Sequence, residues 1–146
     1  MSYPILLDLT GRRVVVFGGG SVAARKIHDL LDAGALVTVI SPALHPELEA
    51  LGERIDAHPL RYTPGMLDDL RPFLVFAATD SPAVNQQIVE EARRLALLVN
   101  RVDDALVGAA VSRVTLTLVG QERGVAELLG EGLRPLIRGG GAVRGA

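Results

Sequence analysis

The chain has no cysteine. Disulfides, thiolate metal centres and cysteine nucleophiles are thereby excluded, and a reducing cytoplasm is the expected compartment. Tryptophan is also absent, and there are only 2 tyrosines and 3 phenylalanines. The core must therefore be built from Leu, Val, Ile and Ala. Lys26 is the only lysine, and Tyr3 and Tyr62 are the only tyrosines, so no Tyr-x-x-x-Lys proton-donor pair can form. No apolar run approaches the roughly 20 residues of a membrane-spanning helix. Met1–Pro4 lacks a basic stretch leading into a long apolar run, so no secretory leader is expected. Basic and acidic residues number 15 and 17, a net charge of −2. That balance offers no electrostatic attraction for nucleic acid or a membrane surface.

What is present is a βα alternation. At 146 residues one domain is expected, over residues 1–138, with a flexible Gly-rich tail over 139–146. A turn at Thr10-Gly11 precedes a strand over Arg13–Phe17. Val22, Ile27, Leu30 and Leu31 fall at helical spacing and predict a helix over Ser21–Ala33, stopped by Gly34. Leu36–Ile40 is a second strand, ended by Pro42. A short polar helix follows over Pro46–Gly52, then a third strand within Ile55–Tyr62. Pro64-Gly65 opens a helical turn through Leu70. Phe73–Ala78 is a fourth strand. Pro82–Leu97 carries Val84, Ile88, Ala92 and Leu95 on one helical face. Leu97–Val99 is a fifth strand, Val114–Val119 a sixth, and Gly124–Ile137 a last helix. No internal repeat is present. Alternating elements predict a doubly wound, Rossmann-type parallel sheet in the order 3-2-1-4-5, with the sixth strand in addition.

The segment Val14-Val15-Val16-Phe17-Gly18-Gly19-Gly20-Ser21-Val22-Ala23 carries the strongest functional signal. It reads as a buried strand, a glycine turn and a helix start. Gly18, Gly20 and Ala23 satisfy a G-x-G-x-x-G/A pattern in its required context. Gly18 suits a tight turn, Gly20 a close approach of backbone to pyrophosphate, and Ala23 close packing of helix on strand. The helix N-terminus then faces the anion. The order of strands brings Gly18–Val22, Ser41–Ala43, Ala77–Asp80 and Asn100–Asp103 around one crevice at the carboxyl ends. NAD-specific sites of this kind usually place an acidic residue at the end of strand two. Here Ser41-Pro42-Ala43 stands there, with neither a carboxylate nor an arginine. Ser41 or the backbone could hold a ribose, or Ser41 and Pro42 could simply turn the chain.

Four segments together resemble one family. These are the glycine turn with its following Val-Ala-x-Arg-Lys, Val37–Pro42, Ala77–Asp80 with Asn85, and Val99–Asp104. Pro4–Leu9 before Gly11-Arg12-Arg13 fits as well. The chain is similar, over about residues 3–104, to the N-terminal module of siroheme synthase, the precorrin-2 dehydrogenase/sirohydrochlorin ferrochelatase family. The resemblance implies NAD as cofactor, a tetrapyrrole substrate, and a non-acidic end to strand two. It implies that Gly18, Gly20, Ser21 and Val22 hold the pyrophosphate, that Pro42 and Ala43 lie by the adenosine ribose, and that Thr79 and Asp80 border the nicotinamide. It makes Asp103 the catalytic residue, with Asp104 as fallback. Precorrin-2 oxidation removes a hydride and a proton, and a carboxylate near the ring can take the proton.

The resemblance weakens after Asp104. Gly120-Gln121-Glu122-Arg123-Gly124 stands where the family carries a Ser-Thr-Gly-Gly-x-Ser-Pro-like loop. The family's further helical region, used for dimerisation and for covering the tetrapyrrole, is expected to be missing. A catalytically degenerate protein that binds NAD or a tetrapyrrole and serves a pathway enzyme is therefore the alternative. Arg101, Arg113 and Arg123 are candidate contacts for tetrapyrrole carboxylates. His28, His45 and His58 match no compact ligand spacing, so no metal site is expected. The predicted last helix carries Val125, Leu128, Leu129, Leu133, Leu136 and Ile137. That stripe either covers a sheet edge or forms a homodimer contact.

Overall fold

The computed structural model describes residues 6–102, 113–117 and 125–129. Strands β1 (Arg13–Phe17), β2 (Leu36–Ile40), β3 (Asp56–His58), β4 (Leu74–Ala77) and β5 (Leu98–Arg101) form one sheet in the order β3-β2-β1-β4-β5. Every pairing in it is parallel. Helices α1 (Ser21–Asp32), α2 (Pro46–Glu49), α3 (Met66–Leu70) and α4 (Pro82–Arg94) connect the strands, with a 3₁₀ turn at Gly52–Arg54 after α2. The predicted doubly wound sheet is present with its expected strand order.

The unbroken apolar run of β1 has a direct cause. Val14, Val15, Val16 and Phe17 are all fully buried, because the central strand is covered on both faces. Val14 and Val16 join Ala23, Ala24, Ile27 and Leu30 of α1 and Leu48 of α2. Val15 and Phe17 join Leu67 of α3 and Ile88, Val89 and Ala92 of α4. Alternation along one strand thus separates two cores.

Both long helices end in the same way. At α1, Gly34 (φ +80°) donates to the Leu31 carbonyl at 2.9 Å and Ala35 to that of Leu30 at 3.0 Å. At α4, Ala96 (φ +63°) donates to Arg93 at 3.0 Å and Leu97 to Ala92 at 2.8 Å. These pairs satisfy the last carbonyls and turn the chain into the next strand. Glycine adopts the left-handed conformation easily; alanine does so under strain.

The C-terminal part corrects the sequence reading. The sixth strand exists as β6 (Arg113–Thr117), but it does not extend the parallel sheet. It pairs antiparallel with β7 (Val125–Leu129), where a helix was expected over Gly124–Ile137. Val125–Leu129 is five residues, apolar but for the central Glu127, too short for periodicity alone to assign to helix or strand. The partner strand, with its β-branched Val114, Thr115 and Thr117, decides the outcome. The helical stripe through Val125, Leu128 and Leu129 therefore does not exist in that form. The predicted tail and the boundary at residue 138 lie outside the described residues.

Candidate functional site

The site begins where β1 runs into α1. Gly18 has φ +122°, and a Cβ there would collide with the carbonyl of Ala78. Its N–H donates to the Ile40 carbonyl at 3.0 Å, while Ala78 N–H donates to Phe17 at 2.8 Å. Gly18 therefore ties the turn to the ends of both β2 and β4. Gly19 was not singled out in the sequence, yet it is equally confined. A Cβ on it would strike the Ala43 carbonyl and lie 2.8 Å from Ser41 Oγ. Its carbonyl accepts the His45 N–H at 2.6 Å. Contact with a loop some twenty residues away leaves no local trace in the sequence.

Gly20 is different. A Cβ there would meet nothing within 4 Å. It occupies the N-cap of α1 in an extended conformation (φ −84°, ψ −171°), supplies no side-chain cap, and is followed by no acidic residue in the first turn. The opening N–H groups of α1, at Ser21 and Val22, are thus left uncapped by side chains beside open space. Ala23 is fully buried in the core under the turn, as its place in the glycine pattern predicts. An uncapped helix start beside an open glycine suits an anion of the size of a pyrophosphate.

At the end of β2, Ser41 is 7% exposed, and its hydroxyl donates to the Ala43 carbonyl at 2.7 Å. Of the two sequence readings, the turn role accounts for this hydroxyl. Pro42 and Ala43 are exposed on the rim. At the end of β4, Thr79 is held by Asn85. The Thr79 N–H and hydroxyl donate to Asn85 Oδ1 at 3.0 and 2.6 Å, and Asn85 Nδ2 donates back to the Thr79 carbonyl at 3.0 Å. Asn85 is 3% exposed. It fixes the loop through Asp80, which is itself exposed. Ser81 then caps α4, its Oγ accepting the Val84 N–H at 3.3 Å.

The chain leaves β5 close to this loop, where Val102 N–H donates to Ala77 at 2.9 Å. Arg101 Nη1 donates to Gln86 Oε1 at 2.6 Å. Asp103, Asp104 and Arg123 lie outside the described residues. Asn100 is fully buried, and among the described residues neither its Nδ2 nor its Oδ1 has a hydrogen-bond partner. The structure thus brings Gly18, Gly20, Ser21, Val22, Pro42, Ala43, Thr79 and Asp80 to the carboxyl ends of β1, β2 and β4.

Lys26 lies one helical turn after Val22 on α1. It is half-buried, and desolvation holds its amine below the ordinary lysine value, opposed by Asp29. The histidines serve elsewhere. His58 meets Asp56 at 3.0 Å, His28 lies 3.9 Å from Glu47, and His45 Nδ1 accepts the Glu47 N–H at the start of α2. Among the described residues, no three His, Cys, Asp or Glu side chains converge as a metal site.

Residues 5–112 match a family model described as "Putative NAD(P)-binding". The siroheme synthase of Chromobacterium violaceum is 46% identical over 105 residues, which is 70% of this chain and 22% of that protein. The siroheme synthase of Zymomonas mobilis subsp. mobilis is 38% identical over 138 residues, 90% of this chain and 29% of that one. The chain thus spans less than a third of these curated relatives. Among solved structures, SirC, a precorrin-2 dehydrogenase, matches with a TM-score of 0.60 at 31% identity, over 68% of this chain and 50% of that one. A short chain dehydrogenase from Leptospira borgpetersenii serovar Hardjo-bovis with bound NAD+ matches with a TM-score of 0.51 at 12% identity, over 75% and 59% of the two chains, and supports the fold alone. The chain belongs to this NAD(P)-binding family and is, over 70% to 90% of its length, a homologue of the siroheme synthases.

Proposed function

We propose that this chain is an NAD-dependent dehydrogenase that oxidises precorrin-2 to sirohydrochlorin in siroheme synthesis, with ferrochelatase activity in the same crevice. The observation that carries the reading is the open Gly20 at the uncapped start of α1, set between the loops that follow β2 and β4. Homology to siroheme synthases supplies the substrate class. Gly18, Gly20, Ser21 and Val22 hold the pyrophosphate. Pro42 and Ala43 flank the adenosine ribose, while Thr79 and Asp80 border the nicotinamide end. Bound NAD supplies a hydride acceptor. Asp103 takes the proton that leaves the tetrapyrrole with the hydride, so each oxidation yields sirohydrochlorin, NADH and one proton. Arg101 and Arg113 are candidates to meet the substrate carboxylates.

A cysteine-free chain suits a reducing cytoplasm. No described helix is long and apolar enough to cross a membrane. We read the active form as a homodimer or as a partner of another enzyme of the pathway. A second reading rests on Gly120–Gly124, which replaces the serine-glycine loop: a degenerate protein that binds NAD or a tetrapyrrole without turnover.

Anaerobic incubation with precorrin-2, with and without NAD, separates the two. NAD-dependent formation of sirohydrochlorin by absorbance is the expected result, and Asp103→Asn should abolish it while NAD still binds. Binding without turnover would favour the degenerate protein. Full activity in Asp103→Asn would remove that residue from the chemistry.

A further inference from the structure

Asn100 is the polar side chain in the described core that the fold leaves without a use. It stands one residue inside the carboxyl end of β5, paired with Phe76 of β4, which in turn pairs with Val16 of β1. Leu98 and Val102 pack against the core that holds Val14, Val16 and Phe76, so strand alternation puts Asn100 on that apolar face. A leucine would fill such a place without penalty. An amide there, fully buried and with neither donor nor acceptor paired among the described residues, is unfavourable unless something meets it. The other buried polar side chains nearby are satisfied: Asn85 is bonded to Thr79, and Ser41 to Ala43.

The missing partner must both donate and accept, because a side-chain amide offers N–H and C=O side by side. A primary carboxamide is the matching group. We infer that the Asn100 amide pairs with the carboxamide of a bound nicotinamide. Asn100 is then a positioning residue that orients the ring for hydride transfer. This inference rests on the proposed NAD site and deepens it. β5 lies two strands from β1, about 10 Å across the sheet. It stands on the β4 side of the glycine turn, opposite the loop after β2 where the adenosine is proposed to lie.

The test compares three ligands by calorimetry on the full chain: NAD+, its 3-acetylpyridine analogue, and ADP-ribose. The analogue keeps the carbonyl but has a methyl where NAD+ has the NH2. Wild type should bind NAD+ about 10-fold or more tightly than the analogue, because the analogue leaves Asn100 Oδ1 unpaired. Asn100→Leu should lose that preference and keep ADP-ribose affinity within about twofold, since ADP-ribose has no ring to position. Equal binding of NAD+ and analogue by wild type would overturn the inference and assign the amide to a buried water. So would an unchanged preference in Asn100→Leu. The wild-type comparison can overturn the inference without any variant. Where Asn100→Leu fails to fold, Asn100→Asp, which keeps an acceptor and loses the amide donor, supplies the second arm. It should likewise change the ratio of NAD+ to analogue affinity while keeping ADP-ribose binding. Absence of ADP-ribose binding to wild type would overturn the NAD site itself, and this inference with it.

Discussion

Tyr62 donates its hydroxyl to the carboxylate of Glu91 in a short hydrogen bond between residues 29 apart in the chain. Glu91 is 3% exposed and also accepts the Gly65 N–H, at 2.7 Å. One carboxylate on α4 therefore holds both ends of the segment leading into α3. The Tyr62 ring meets Phe17 edge-on at 5.3 Å, directly before the glycine turn. Tyr62→Phe keeps that ring contact and leaves one Glu91 oxygen unpaired. It should destabilise the fold by about 1–3 kcal/mol in urea unfolding. A change under about 0.5 kcal/mol would show that water replaces the hydroxyl without loss.

The same pair sets a pH dependence. Burial, with Glu91 beside it, raises the Tyr62 phenol above its ordinary value of 10.0. The folded state thus keeps a proton that the unfolded chain releases near pH 10. The stabilisation is complete below that point and is lost as pH rises toward the folded value. The melting temperature of wild type should fall toward that of Tyr62→Phe between about pH 9.5 and 11. Parallel curves for the two proteins across that range would refute the coupling.

Gly18 and Gly20 should separate fold from binding. Gly18→Ala puts a methyl into the Ala78 carbonyl at a strained φ, and should destabilise by about 2 kcal/mol or more. Gly20→Ala meets no neighbour and keeps an ordinary backbone, so its stability should stay within about 0.5 kcal/mol of wild type. Its methyl occupies the space proposed for the pyrophosphate. NAD affinity should therefore drop about tenfold or more. Undiminished NAD binding by Gly20→Ala would move the site away from this turn.

Ala96 gives an opportunity for stabilisation. It is exposed and holds φ +63° at the end of α4, where α1 has Gly34. Ala96→Gly removes the left-handed strain of about 1–2 kcal/mol but loosens the unfolded chain by about 0.5–1 kcal/mol. A net gain of about 0.5–1 kcal/mol should appear in thermal or urea unfolding. A loss would mean that the alanine methyl makes a contact worth more than its strain.

Much of this architecture was legible in the residues. Arg13–Phe17 and Leu36–Ile40 form strands with the predicted bounds, because short β-branched runs between turn residues leave little alternative. Gly34 marked the end of α1 by its chemistry, and the glycine turn and the polar residues after the fourth and fifth strands pointed to the carboxyl ends of the sheet. The rest depended on partners far along the chain. Glu91 reads as one more charge on a solvated helix until Tyr62 is placed against it. Gly19 looks like a spacer until Ala43 arrives. Val125–Leu129 took its conformation from β6 rather than from its own pattern. The sequence reading ends the fifth strand at Val99 and puts Asn100 in the loop beyond it, whereas β5 runs to Arg101 and takes Asn100 inside the strand. The roles of Asp80 and Asp103 rest on resemblance.

The two confined glycines also bear on how a ligand would arrive. Gly18 is locked to the loop after β4 and Gly19 to the loop after β2, so the floor of the crevice is assembled from three connections held by backbone contacts. Little of it is left to be ordered when a dinucleotide lands. The entropy usually lost in closing a loop over a cofactor has already been spent in folding. Association at this floor should proceed as a single bimolecular phase, its observed rate rising linearly with ligand concentration and showing no plateau.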